Sequence, residues 1–157
     1  MVAAVGSDNP LLGSWHLVRW EITYEDGRAP SLPFGADASG LICYTGDGTM
    51  NACIARAGRT RLSTDSVRSA PVAERLTAFE SFFQYAGPYE IQGEPGRQQV
   101  VHTVTHSLNP NFVGTQQVRN MAFAANGHLT LSASDMMPGT TAARHHSLVW
   151  RRAEVVS

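Results

Sequence analysis

Two histidines four positions apart, His102 and His106, and one arginine further along, Arg119, are the residues of this chain best suited to chemistry. An imidazole with a pKa of about 6.5 can give or take a proton near neutrality. A guanidinium can hold an anion or steady negative charge developing on oxygen. All three lie in runs that alternate in the manner of a β-strand, so which of them share a face is a matter of counting by twos.

Ala125-Asn126-Gly127 reads as a three-residue hairpin loop, which sets Phe123 opposite Leu129 and Met121 opposite Leu131. One face then carries Gln117, Arg119, Met121, Phe123, Leu129, Leu131 and Ala133; Val118, Asn120, Ala122 and Thr130 take the other. The first set is the more apolar and is expected inside. An inward arginine is costly to desolvate unless paired, so Arg119 should meet a carboxylate, a cluster of carbonyls, or an anionic or carbonyl-bearing ligand. On the preceding strand His102, Val104, His106 and Leu108 share a face. A hairpin through 109–114 would set His102 near Met121 and His106 near Gln117, with both imidazoles in the interior.

Tyr44 and Tyr89 are further candidates, because a phenol can donate to a ligand carbonyl while its ring lines an apolar wall. Asn51 adds a donor, Trp150 a large apolar surface. Together these give His102, Arg119 and Tyr44 as candidate catalytic groups. His106, Gln117, Met121, Phe123, Tyr89, Asn51 and Trp150 are candidate ligand contacts. No metal site is expected: four strand positions part His102 from His106 by roughly 13 Å, and His145 and His146 point to opposite faces. The chain has no nucleophile elbow, phosphate-cradling glycine loop, dinucleotide fingerprint or Cys-X-X-Cys, so no cofactor is expected.

The elements that must position these groups are mostly strands. They are read at 15–24, 40–45, 49–54, 89–92, 98–108, 115–124, 129–134 and 145–152, separated by short turn signals such as Asp47-Gly48. Residues 28–39 form a loop or lid and 135–143 another. Val72, Leu76, Phe79 and Phe83 recur at helical spacing, predicting one helix at about 71–86, with Ser69 as cap, Pro71 in its first turn and Gly87 ending it. The two ends of the chain complete the pattern. Gly13-Ser14-Trp15 opens the first strand and Trp150-Arg151-Arg152 closes the last, as in a sheet that starts and finishes at one seam. An arginine of that last strand, Arg151 being the candidate, is then expected on the Trp15 ring.

Short connections make the sheet antiparallel, and consecutive hairpins favour a closed up-and-down barrel of eight to nine strands over a Greek-key sandwich. At 157 residues with 43% hydrophobic content, the chain holds one core: a loose arm over 1–10 and a single domain over 11–153. A net charge of −1 with dispersed basic residues offers no footprint for nucleic acid or an anionic membrane. The start of the chain does not read as a secretory leader, no run is long enough to span a membrane, and Cys43 and Cys53 are expected as free thiols; a cytoplasmic location follows as the expectation.

The order Leu-Leu-Gly-Ser-Trp15, Gly40-Leu-Ile-Cys-Tyr-Thr-Gly-Asp-Gly-Thr-Met50, Tyr85-Ala-Gly-Pro-Tyr89, Asn109-Pro-Asn-Phe-Val-Gly-Thr-Gln-Gln-Val-Arg119 and Leu148-Val-Trp-Arg resembles the bacterial and fungal lipocalin-like domain proteins over nearly the whole chain. The resemblance implies a closed barrel around an internal ligand site; a lipocalin proper, though, carries its helix near the C-terminus, not mid-chain. Such barrels include carriers and enzymes of specialised metabolism, so two functions stand side by side. One is binding of a small, largely apolar molecule with a polar or carbonyl group. The other is a cofactor-free isomerase, cyclase or dehydratase using the same cavity. The partner in both is a small organic molecule, and the helix stripe or a strand edge is a candidate surface for a homodimer.

Overall fold

The computed structural model describes residues 8–155. Nine strands follow in chain order: β1 (Gly13–Tyr24), β2 (Ser39–Tyr44), β3 (Thr49–Ala55), β4 (Phe82–Gln92), β5 (Gln99–Thr103), β6 (His106–Ser107), β7 (Gln116–Phe123), β8 (Leu129–Met136) and β9 (Ala143–Arg152), with one helix, α1 (Val72–Glu80), between β3 and β4. Each strand pairs antiparallel with its neighbours in the order β3-β2-β1-β9-β8-β7-β5-β4, and β4 returns to β3 to close the ring. Eight strands make the barrel, and β6 adds a short ninth against β4.

The seam joins the chain ends as the two tryptophan motifs suggest. Trp15 pairs with Arg152 and Leu17 with Trp150 across β1 and β9. Trp15 is fully buried and donates its indole N–H to the Leu11 carbonyl at 2.9 Å. The arginine on its ring is Arg152, 4.1 Å from the centroid, and not Arg151. Strand parity decides this: Trp150 points inward, so Arg152 shares its face and Arg151 points out to solvent. Arg152 also donates to the carbonyls of Leu12 (2.6 Å) and Pro10 (2.9 Å), fastening the first turn over the barrel end. Of the arm read over 1–10, residues 1–7 lie outside the described residues. Asn9 is tied down by donating to the Tyr89 hydroxyl at 2.7 Å.

Two elements depart from the sequence reading. The helix ends at Glu80, not near residue 86, and Ser69 does not cap it. From Phe82 the chain runs as β4, with Phe83, Tyr85 and Tyr89 on the inner face. The helical spacing of Phe83 was coincidental: the aromatic run alternates by twos from that point, and aromatic residues favour a pleated, half-buried surface. The helix therefore buries none of its residues; Val72, Leu76 and Phe79 face solvent. Gly87 ends no helix. It lies within β4, where a Cβ would stand 1.9 Å from the Thr103 carbonyl oxygen, so only glycine allows the chain to pass.

The strand read over 98–108 also breaks. After Thr103 the chain turns, Val104 exchanges backbone hydrogen bonds with Thr115 and Gly114, and His106-Ser107 pairs with Ala86 and Tyr85 as β6. His102 consequently lies opposite Gln117, not Met121. The β7–β8 register is the expected one, with Met121 facing Leu131 and Phe123 facing Leu129. Asp135 and Met136 extend β8 instead of starting a loop, paired with Arg144 and Ala143 of β9. Cys43 faces Asn51 and Cys53 faces Leu41, two rungs apart on the outer side of the β2–β3 hairpin, and both are free thiols.

Candidate functional site

The barrel holds a cavity of about 500 Å³ that opens to solvent. Its walls follow from strand alternation: Leu131 and Ala133 of β8, Leu148 and Trp150 of β9, Ile42 of β2, Ala52 and Ile54 of β3 and Phe83 of β4 supply the apolar surface, with Trp20 of β1 and Phe112 of the 109–115 loop. Phe34, from the 28–39 loop, stands edge-on to Trp20 at 5.3 Å, and Arg56 clasps that loop by donating to the Pro33 carbonyl at 2.8 Å. Polar groups enter this greasy space at three places.

The first is a buried chain of three side chains. His102, 1% exposed, has Tyr44 Oη 2.8 Å from Nε2 and Tyr85 Oη 2.7 Å from Nδ1. Burial, with the Arg119 charge adding to it, pushes the imidazole down to about 3, so it is neutral under ordinary conditions. Burial likewise raises both phenols, which stay protonated. A neutral imidazole has one donor and one acceptor, so the chain must be polarised one way or the other. Tyr44 lies behind His102, away from the cavity walls, and its hydroxyl has no partner but Nε2 among the described residues. A buried hydroxyl proton without an acceptor would cost about 1–3 kcal/mol. Tyr85, unlike Tyr44, lines the cavity, where water or a ligand can accept its proton, and this favours Tyr44 donating to Nε2 and Nδ1–H donating to Tyr85.

The second is the Trp150 indole. Its ring lines the cavity and the residue is 2% exposed, yet Nε1–H has no hydrogen-bond partner among the described residues. Buried N–H groups are almost always satisfied, and a roofless donor in a cavity wall is a group waiting for an acceptor. Trp15, by contrast, has its own carbonyl.

The third is a ladder of charge. Arg119 donates to the Val118 carbonyl (3.0 Å) and to Gln117 Oε1 (3.1 Å), while Gln117 Nε2 donates to Thr115 Oγ1 (2.9 Å). No carboxylate pairs with Arg119 among the described residues. Towards the more exposed end of β8 and β9, Arg144 grips Asp135 with both ends of the fork (2.6 and 3.0 Å), and His146 Nε2 lies 3.4 Å from the same carboxylate. The Arg144 hydrogen bond holds the Asp135 carboxyl below the usual range, and burial lowers His146. Trp20 Nε1–H donates to His146 Nδ1 at 3.4 Å, so both nitrogens of that ring are engaged.

The sequence candidates thus divide. His102, Gln117, Arg119 and Trp150 line the cavity together, and Tyr44 backs His102. Tyr89 sits beyond Tyr44, donating to the Thr45 carbonyl at 2.8 Å and closing the barrel end. Phe123 is half exposed beside Trp15, and Met121 packs on the core without forming a cavity wall. His106 and Asn51 face outward: His106 contacts Thr105, and Asn51 accepts from Gln84. The break after Thr103 turned His106 out, and the inward parity of Met50 and Ala52 turned Asn51 out. Tyr85, Trp20 and the Asp135–Arg144–His146 cluster were missed. Alternation through Phe83, Tyr85 and Tyr89 was the available signal for the first, obscured by its overlap with helical spacing. For the cluster it was the inward parity of His146 with Trp150.

No curated protein matches the chain. The family model of the lipocalin-like domain matches residues 12–153, which covers all nine strands. With that match and a closed eight-strand barrel, the chain belongs to the lipocalin-like domain family.

Proposed function

We propose that this protein binds a small, largely apolar organic molecule inside the barrel, through an oxygen or other acceptor on that molecule. The observation that carries the reading is the orphaned Trp150 N–H in an apolar cavity of about 500 Å³, a size that suits a drug-sized molecule. The Tyr85 hydroxyl adds a second donor to the same space, held in place by His102 and Tyr44.

The test is native mass spectrometry of the protein purified from its own source, with an Ala133→Trp variant that fills the cavity as control. A small molecule that accompanies the folded wild-type chain and is absent from the filled variant supports the reading. A wild-type protein that neither carries nor takes up any apolar molecule overturns it.

Catalysis is the second reading, and one observation favours it: the Tyr44–His102–Tyr85 chain ends on a phenol that lines the cavity. A polarised phenol of this kind can donate to a carbonyl oxygen as charge builds on it. Under this reading His102→Gln loses turnover and keeps binding, whereas for a carrier it changes affinity alone.

A further inference from the structure

Resting on the reading above, we infer that the ligand is an organic acid bound as its anion, with the ionised group on Arg119 and the apolar body along the Trp150 and Phe83 side of the cavity. Three observations converge on this class. The charged groups in the cavity wall are Arg119, Arg144 and Asp135. Asp135 is consumed by its two hydrogen bonds to Arg144, and His102 is neutral, which leaves one uncompensated positive charge, that of Arg119. Arg119 is half-buried at the cavity wall, where an anion would meet a positive charge only partly screened by water.

The second observation is that Arg119 is already held in place. Thr115 Oγ1 donates to the Phe112 carbonyl at 2.6 Å, Gln117 Nε2 donates to Thr115, and Gln117 Oε1 accepts from Arg119. Two of the five guanidinium N–H donors are used in this way and three remain. A fork fixed by its neighbours, with its free side unpaired, matches a carboxylate or sulfonate. The third is the character of the remaining polar groups. The Trp150 N–H and the Tyr85 hydroxyl are both donors, and the one hydroxyl acceptor nearby, Ser134, is taken by His145 at 2.6 Å. The Gln116 amide, which both donates and accepts, is the other polar side chain of this wall, so donors and one spare positive charge outweigh acceptors and the site favours anions over amines.

Two dyes of one skeleton test this directly: 1-anilinonaphthalene-8-sulfonate and N-phenyl-1-naphthylamine, which differ by the sulfonate alone. Both brighten in apolar surroundings, so each dissociation constant is read by titration. For the wild-type protein the ratio of affinities should favour the sulfonate by about tenfold or more over the ratio in Arg119→Gln, the range of a charge-assisted hydrogen bond. Arg119→Lys, which keeps the charge, should retain most of that preference, and Ala133→Trp should abolish binding of both dyes.

An unchanged ratio in Arg119→Gln overturns the assignment of the anion to Arg119 while leaving the cavity as a binding site. Sulfonate binding that survives Ala133→Trp places the dye outside the barrel and overturns it as well. If the wild-type protein takes up neither dye, the binding reading and this inference fall together.

Discussion

Substituting His102 by Gln should flatten the acid side of the stability curve, because the native imidazole refuses a proton that the unfolded chain accepts. Above pH about 6.5 the ring is neutral in both states and contributes no pH dependence. Below it, the unfolded chain binds the proton and the folded protein, with His102 held down to about 3, does not. Stability is therefore lost as pH falls, at about 1.4 kcal/mol per pH unit. From His102 alone the loss reaches about 2 kcal/mol by pH 5 and about 4 kcal/mol by pH 3, where the native ring itself begins to take the proton. Gln offers an acceptor and a donor to the two tyrosines without titrating, so the His102→Gln protein lacks this slope. His146, also lowered by burial, acts in the same direction in both proteins and cancels in the difference. Urea unfolding followed by tryptophan fluorescence at half-unit steps from pH 7.5 to 4.5 measures it. Parallel curves for the two proteins would refute the buried, neutral imidazole.

Four further substitutions, one of them a control, probe the frame. Arg152→Met removes the cation over Trp15 and two hydrogen bonds to the entry turn, and should cost about 2 kcal/mol in denaturant unfolding. Arg151→Met, on the outer face, serves as the matched control and should lie within about 0.5 kcal/mol of wild type. Gly87→Ala drives a methyl into the Thr103 carbonyl, and should cost about 3 kcal/mol or more or prevent soluble expression. Phe79→Ser, at a helix position 49% exposed, should shift thermal unfolding by less than about 0.5 kcal/mol, because α1 buries no stripe.

The barrel was legible because its signals are local and mutually consistent. Turn glycines at Gly48 and Gly127 take positive φ, the β7–β8 register followed from one hairpin, and the tryptophans at the two ends of the chain named the seam. Arg119 and Gln117 came inside by the same arithmetic. What failed depended on a partner that spacing does not reveal. Phe83 fits a helix by period and a strand by its ladder with Ile54, and only tertiary pairing chooses between them. His106 lost its place because the chain breaks at Val104 to meet Thr115 and Gly114, a long-range exchange with no marker in the run itself. Tyr85 could not be nominated once it was placed on a helix, and the polarity of its bond to His102 depends on Tyr44, 41 residues away in sequence and adjacent only in the barrel.

The most direct test of the central claim is the indole ¹⁵N–¹H spectrum of the three tryptophans, recorded with and without saturating 1-anilinonaphthalene-8-sulfonate and assigned with Trp150→Phe. The Trp150 resonance should move on binding as its N–H gains an acceptor, while that of Trp15, already bonded to the Leu11 carbonyl, stays in place. A bound ligand that leaves the Trp150 signal where it was would contradict a binding site in the barrel interior.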